Sequence, residues 1–118
     1  MLEARSFSQA DETREFGHGR VEVLKVGGSA VTRTTFQPGW KWSNDVKPIV
    51  GTEQCMLDHL GYVVSGRLHV RLSDGTEGEA GPGDIFAISP GHDAWVVGDE
   101  DCVLLDWAGD TNYAKPQS

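Results

Sequence analysis

The hydrophobic residues of this chain fall in short runs that glycine, proline or polar residues interrupt. Residues 67–72, Arg-Leu-His-Val-Arg-Leu, alternate polar and apolar side chains without a break, as a strand with one buried face does. Asp74-Gly75 follows and predicts a hairpin turn, because both residue types tolerate positive φ. Other β-rich runs lie at 21–26, 30–36, 61–64, 85–88, 95–97 and 103–105. Short strands with regular turn signals predict an all-β sandwich or barrel.

The chain of 118 residues has the length of one domain. Residues 1–16 are mostly polar, and we expect an N-terminal extension with at most one helical turn, at 11–16. The strand-rich part predicts a barrel domain over 17–108, and we expect a loosely packed tail at 109–118. An acidic turn at 98–101 separates the last two predicted strands, which suggests a further hairpin.

The formal net charge of -8 argues against nucleic acid and against an anionic membrane surface, since both need positive charge on the protein. No apolar run approaches the length that spans a bilayer. The first residues lack the basic start and apolar stretch of a secretory signal. Cys55 and Cys102 are too few for a disulfide framework. We therefore expect a cytoplasmic protein that binds neither nucleic acid nor membrane.

The candidate chemistry centres on Cys55, His59 and His92. Cys55 and His59 share one face if their segment is extended, and His92 can join them from a second strand. One thiolate and two imidazoles suit Zn²⁺ or another borderline divalent ion, with a position left open for water or substrate. Spacing alone does not specify such a site, because no helix or tight loop fixes it. A cysteine such as Cys55 is more often a small buried apolar residue than a ligand.

Aromatic residues near these positions suggest a binding pocket. Trp40 and Trp42 are two residues apart and share a face of an extended segment, and Trp95 follows His92 closely. Indoles commonly pack in cores, but they also form the walls of pockets for flat or apolar small molecules. Neither a Gly-x-Ser-x-Gly elbow nor a phosphate-binding glycine loop occurs in the sequence.

Two segments resemble the paired motifs of the cupin superfamily, and together they cover about half of the chain. Residues 36–72, with Pro-Gly-Trp-Lys-Trp and His-Leu-Gly-Tyr-Val-Val-Ser-Gly, resemble the first motif. Residues 83–97, with Gly-Asp and Pro-Gly-His-Asp-Ala-Trp, resemble the second. The residue pattern of these two segments is also similar to that of a bacterial cupin subgroup. The resemblance implies a single-domain double-stranded β-helix, the cupin or jelly-roll barrel.

The resemblance also shows where the usual metal ligands are replaced. His59 stands at the position of the family's glutamate, while Trp40 and Trp42 stand where the paired histidines are expected. Ala94 stands at the position of the last histidine, with His92 two residues earlier on the same face of the strand. The resemblance therefore implies the fold and leaves the metal open.

Two functions remain open at this point. The first is a small-molecule-binding barrel of unassigned activity. Its ligand pocket would lie inside the barrel, centred on His59 and His92 and lined by tryptophans and Tyr62. The second is a metal-dependent isomerase, lyase, hydrolase or dioxygenase that uses Cys55, His59 and His92. Its cofactor would be one divalent ion, with zinc, iron, manganese and nickel not distinguished, and a barrel without metal is equally compatible. Because small cupins commonly pair, we expect a homodimer. The expected ligand-binding residues are Trp40, Trp42, His59, Tyr62, His92 and Trp95.

Overall fold

The computed structural model describes residues 1–107, and antiparallel strands make up most of their regular structure. The expected tail at 109–118 lies outside the described residues. In chain order the elements are a 3₁₀ turn (Phe7–Gln9), β1 (Glu12–Phe16), β2 (Gly19–Val26), β3 (Ser29–Phe36), α1 (Trp42–Asp45), α2 (Lys47–Val50), β4 (His59–Ser65), β5 (Leu68–Leu72), β6 (Glu77–Ala80), β7 (Ile85–Ile88), β8 (His92–Val96) and β9 (Cys102–Asp106).

The strands form two sheets. One sheet has six strands in the order β1-β2-β3-β9-β4-β7, and the other has three in the order β6-β5-β8. From β4 onward the chain passes repeatedly between the sheets. The first passage, between β4 and β5, turns at Gly66, whose φ is +76°. A side chain there would collide with the backbone of Asp101, so the turn needs glycine.

The space between the sheets holds the core. The period of two in the strands sends Gly61 and Val63 of β4 inward, and Leu68 of β5 meets them from the other sheet. The buried hydrophobic cluster also includes Val21, Phe36, Trp40, Trp42, Val46, Val50, Cys55, Phe86, Ala94, Cys102 and Leu104. The all-β architecture expected from the sequence is therefore confirmed.

Three local expectations were wrong. Residues 12–16 form strand β1, paired with β2, and no helical turn, because Glu12 to Phe16 extend the edge of the larger sheet. The strands on either side of the acidic turn are no hairpin, since β8 pairs with β5 while β9 pairs with β3 and β4. Trp40 and Trp42 do not share one extended segment, because Trp42 begins α1. Helix α2 follows, with Pro48 in its first turn.

Cys55 and Cys102 are both buried and free. Within residues 1–107, no helix has the length and apolar character needed to cross a membrane.

Candidate metal centre and cavity

The candidate site is assembled where a loop meets the first residues of two strands. His59 opens β4 in the larger sheet and His92 opens β8 in the smaller one. Cys55 lies in the segment between α2 and β4, and not in a strand that it shares with His59. Its backbone N–H donates to the His92 carbonyl (2.9 Å), and its carbonyl accepts from the Gly91 N–H (2.8 Å). Backbone hydrogen bonds therefore hold the thiol beside His92.

The three side chains converge. Cys55 Sγ lies 3.5 Å from His59 Nε2, and the rings of His59 and His92 are 5.0 Å apart at an interplanar angle of 67°. One ligand atom from each of the three residues lies within 4.8 Å of the other two. The side chains predicted as metal ligands are thus brought together in the structure.

Each imidazole is anchored through its Nδ1 atom. His92 Nδ1 lies 2.7 Å from the Ser89 carbonyl oxygen. A carbonyl can only accept, so this nitrogen carries the proton and the neutral ring keeps its lone pair on Nε2. His59 Nδ1 lies 3.0 Å from the Asp106 carboxylate, which favours the same tautomer. Both rings are therefore oriented with Nε2 as their ligand atom.

The electrostatics of the site favour a thiolate. Burial raises the pKa of Cys55, but hydrogen bonds with His59 and His92 and the positive charge of their protonated forms outweigh it and lower that pKa to about 6. The thiolate is the form that binds metals. Cys102 is the opposite case, since burial and the charge of Glu100 raise its pKa to about 12.

A small cavity lies beside this cluster, between the sheets. Its volume is about 30 Å³, and its wall includes His59, His92 and the indoles of Trp40 and Trp42. Trp40 is only 2% exposed and stacks on Phe36 at 3.7 Å between ring centroids. Its Nε1 atom is buried and has no hydrogen-bond partner among residues 1–107. The remaining wall is formed by Thr34, Phe36, Leu68, Phe86, Ile88, Ala94, Leu104 and Asp106.

Comparison with solved structures finds this architecture in proteins of low sequence identity. A protein of unknown function from Rhizobium leguminosarum is 19% identical, with a TM-score of 0.64 over 92% of this chain and 97% of that one. The polyketide cyclase RemF from Streptomyces resistomycificus is 21% identical, with a TM-score of 0.64 over 92% and 80%. Oxalate decarboxylase from Lactobacillus farciminis is 16% identical, with a TM-score of 0.61 over 93% of this chain and 34% of that one. This chain has the cupin fold.

No protein-family model matches the sequence, and no curated protein matches it either. At these identities the similar structures establish the fold alone. The chemistry of this chain therefore has to be argued from its own residues.

Two of the expected pocket residues, Tyr62 and Trp95, are not part of the wall of this cavity. Tyr62 follows the inward Gly61 on β4, so the period of two turns it to the outer face. Trp95 follows the inward Ala94 on β8 for the same reason, and it stacks on His69 at 4.7 Å between centroids. The expectation that Tyr62 and Trp95 line the cavity was wrong.

One residue of the site was missed in the sequence. Asp106 is 3% exposed and is hydrogen-bonded to His59. A signal was present, because Cys102, Leu104 and Asp106 alternate with residues of the other face and so point inward together. An acidic residue in that inward series is expensive to bury unless it has a partner.

Proposed function

We propose that this cupin binds one divalent metal ion through Cys55, His59 and His92, and that it acts on a small molecule in the adjoining cavity. The observation that carries the proposal is the anchoring of both imidazoles through Nδ1, which directs Nε2 of each ring towards the Cys55 thiol. Histidines that ligate metals characteristically donate their second N–H to a carboxylate or a backbone carbonyl. His59 and His92 have one anchor of each kind.

The donor set favours zinc among the ions considered. Thiolate and imidazole are the ligands that Zn²⁺ prefers, and three protein ligands leave a fourth position for water or substrate. A zinc ion in such a site supplies Lewis acidity and lowers the pKa of bound water. These properties would serve a hydrolase, lyase or isomerase, while a thiolate ligand is less typical of the dioxygenases in this fold.

The protein's own residues would shape the reaction around the ligand. Asp106 holds the ring of His59, and the Ser89 carbonyl holds that of His92. The apolar wall excludes water and so strengthens any polar contact made inside. The partnerless N–H of Trp40 would donate to an oxygen of the bound molecule.

Elemental analysis tests the proposal. Protein is purified without chelator and without a nickel column, and the wild type is compared with Cys55→Ser and with Cys102→Ser as the matched control. We expect zinc near one ion per chain in the wild type and the control, and a large loss in Cys55→Ser. Substoichiometric metal that is unchanged in Cys55→Ser would falsify the metal centre.

A metal-free binding barrel is the second candidate. It is favoured by one observation: Cys55, His59 and Asp106 already form a hydrogen-bonded chain that is complete without an ion. Under this proposal a bound small molecule raises the melting temperature by mass action, while added zinc does not. A thermal shift with zinc, absent in His59→Ala, decides for the first candidate.

We also propose that the protein is a cytoplasmic homodimer. The exposed apolar side chains of Leu60, Val64 and Ile85 on the outer face of β4 and β7 support pairing of two copies. The two free cysteines suit a reducing compartment. Sedimentation equilibrium would give the oligomeric state, and a monomer at micromolar concentration would contradict the dimer.

A further inference from the structure

A second pocket lies between β6 and β7, beside the small cavity that His59 and His92 line. These strands follow each other along the chain across the turn at 81–84, but they belong to different sheets. Each is the last strand of its sheet, so no strand bridges the gap between them. The gap, called here the β6–β7 groove, has a volume of about 240 Å³. Its wall includes Val70, Leu72, Gly78, Ala80, Phe86 and Ile88.

The groove and the cavity share part of their walls. Phe86 and Ile88 line both. The strand register places Ile88 opposite His59 in the larger sheet, and it places Leu72 opposite His92 in the smaller one. Directly opposed residues lie side by side on one face of a sheet. One end of the β6–β7 groove therefore borders both imidazoles of the candidate metal centre.

The volumes of the cavity and the groove limit which part of a ligand each of them can hold. A water molecule needs about 10–15 Å³ in this measure. The cavity, at about 30 Å³, therefore holds only a group of a few atoms. The groove, at about 240 Å³, is several times larger. The groove wall is mostly apolar and includes Val70, Leu72 and Phe86, while Glu77 and Glu79 also line it. A molecule that fills both must be small and polar at one end and apolar along the rest.

We propose that the site takes a small amphiphile, with an oxygen-bearing head group in the cavity and an apolar body in the β6–β7 groove. The head group meets His59 and His92, together with the partnerless N–H of Trp40. The apolar body lies against Phe86, Ile88 and Leu72 and gains hydrophobic contact there. The proposal rests on the proposed function only for the ion at the head group, because the groove is formed without it.

Gly78 offers a direct way to fill the groove. It lies on the groove wall, a Cβ built there meets no atom within 4 Å, and its φ lies outside the positive range that disfavours side chains. Gly78→Phe and the smaller Gly78→Leu should therefore occupy the groove without backbone strain. Ile85→Phe is the matched control, because Ile85 is 62% exposed and lies outside the groove wall.

Tryptophan fluorescence provides the readout. The chain has four tryptophans, and Trp95→Phe with Trp107→Phe leaves only Trp40 and Trp42, both in the cavity wall. This background is titrated with straight-chain 1-alkanols and alkanoates of increasing length, and with the matching alkanes. We expect binding to tighten by about two- to fourfold per methylene until the groove is full. Circular dichroism confirms that each variant is folded.

The Gly78 variants then decide the proposal. Gly78→Phe and Gly78→Leu should abolish the dependence on chain length, while Ile85→Phe should retain it. Unchanged length dependence in both Gly78 variants, or none in the parent, overturns the proposal. Alkanes that bind as tightly as the alkanols overturn the oxygen-bearing head. Titrations with metal-free and zinc-loaded protein separate this result from the metal centre, since length dependence without any zinc binding supports the groove and removes only the ion.

Discussion

The histidines on the two faces of the smaller sheet have opposite environments. On the inner face, His92 gives Nδ1 to the Ser89 carbonyl and keeps Nε2 for the cluster with Cys55. On the outer face, His69 has both nitrogens in use, with Nδ1 3.0 Å from Glu79 and Nε2 2.8 Å from Glu77. His69 also stacks on Trp95.

The difference separates a side chain available to a ligand from one occupied by its neighbours. His92 is oriented by one anchored nitrogen and keeps Nε2 as a ligand atom, whereas His69 must break a contact with a carboxylate before it can bind anything. The sequence contains four histidines, and residue type alone does not distinguish them. Their hydrogen-bond partners do.

The largest expected effect is on metal affinity when a histidine is removed. His59→Ala deletes a proposed ligand and should reduce zinc affinity more than loss of an anchoring residue does, whereas His69→Ala should leave it unchanged. Competition with a chromophoric zinc chelator measures both. Equal affinity in the two variants would show that the inner histidines bind no metal.

Removal of an anchor should have the next largest effect. Asp106→Asn retains the shape but weakens the hold on His59, and we expect about a 10- to 100-fold loss of zinc affinity. Glu79→Gln makes the same change beside His69 and should have no effect on zinc. The same chelator competition applies. Unchanged affinity in Asp106→Asn would mean that His59 is not positioned by Asp106.

The two cysteines should titrate very differently in metal-free protein. The pKa of Cys55 is lowered to about 6 and that of Cys102 is raised to about 12. Because the folded value for Cys55 lies below the unfolded one, its thiolate stabilises the fold at alkaline pH, and that stabilisation is lost as the pH falls towards 6, by at most about 1.4 kcal/mol per pH unit.

Ultraviolet absorbance of the thiolate follows this titration. We expect a transition near pH 6 in the wild type and in Cys102→Ser, and none in Cys55→Ser. A first transition above pH 8 in the wild type would refute the proposed electrostatics of the cluster.

The smallest effect concerns the outer histidine. Hydrogen bonds to Glu79 and then Glu77 raise the pKa of His69 above its usual 6.5. Protonated His69 should therefore stabilise the fold below pH 6.5, and this contribution should disappear as the pH rises through the raised value. Denaturation of the wild type and His69→Gln at acidic and alkaline pH measures it. A difference that is larger at alkaline pH would contradict the sign.

Most of the fold could be predicted from the sequence because strand formation here follows local patterns. The alternation at 67–72 corresponds to β5, and the apolar run at 85–88 corresponds to β7. The pairing of β8 and β9 with strands of different sheets could not be predicted in the same way. Sheet membership depends on contacts far apart in the chain, and the acidic turn between them resembles a hairpin turn.

The candidate site could also be predicted only in part, because several of its residues lie far apart in the chain. Cys55, His59 and His92 were identified from residue type and from the cupin motifs, and the structure brings them together. Asp106 was missed, because nothing in the order of the chain places residue 106 next to residue 59. Tyr62 and Trp95 were assigned to the cavity from proximity in sequence, which does not specify the face of a strand.

The short bridge between Cys55 and His92 affects how the site would behave when it loses its ion. Two backbone hydrogen bonds hold these residues together without help from any ligand. Loss of the proposed ion would not release the loop, so a returning ion would find Cys55 and His92 already placed, and little conformational entropy would be lost on rebinding. Binding at the proposed centre should therefore need little rearrangement of Cys55 and His92.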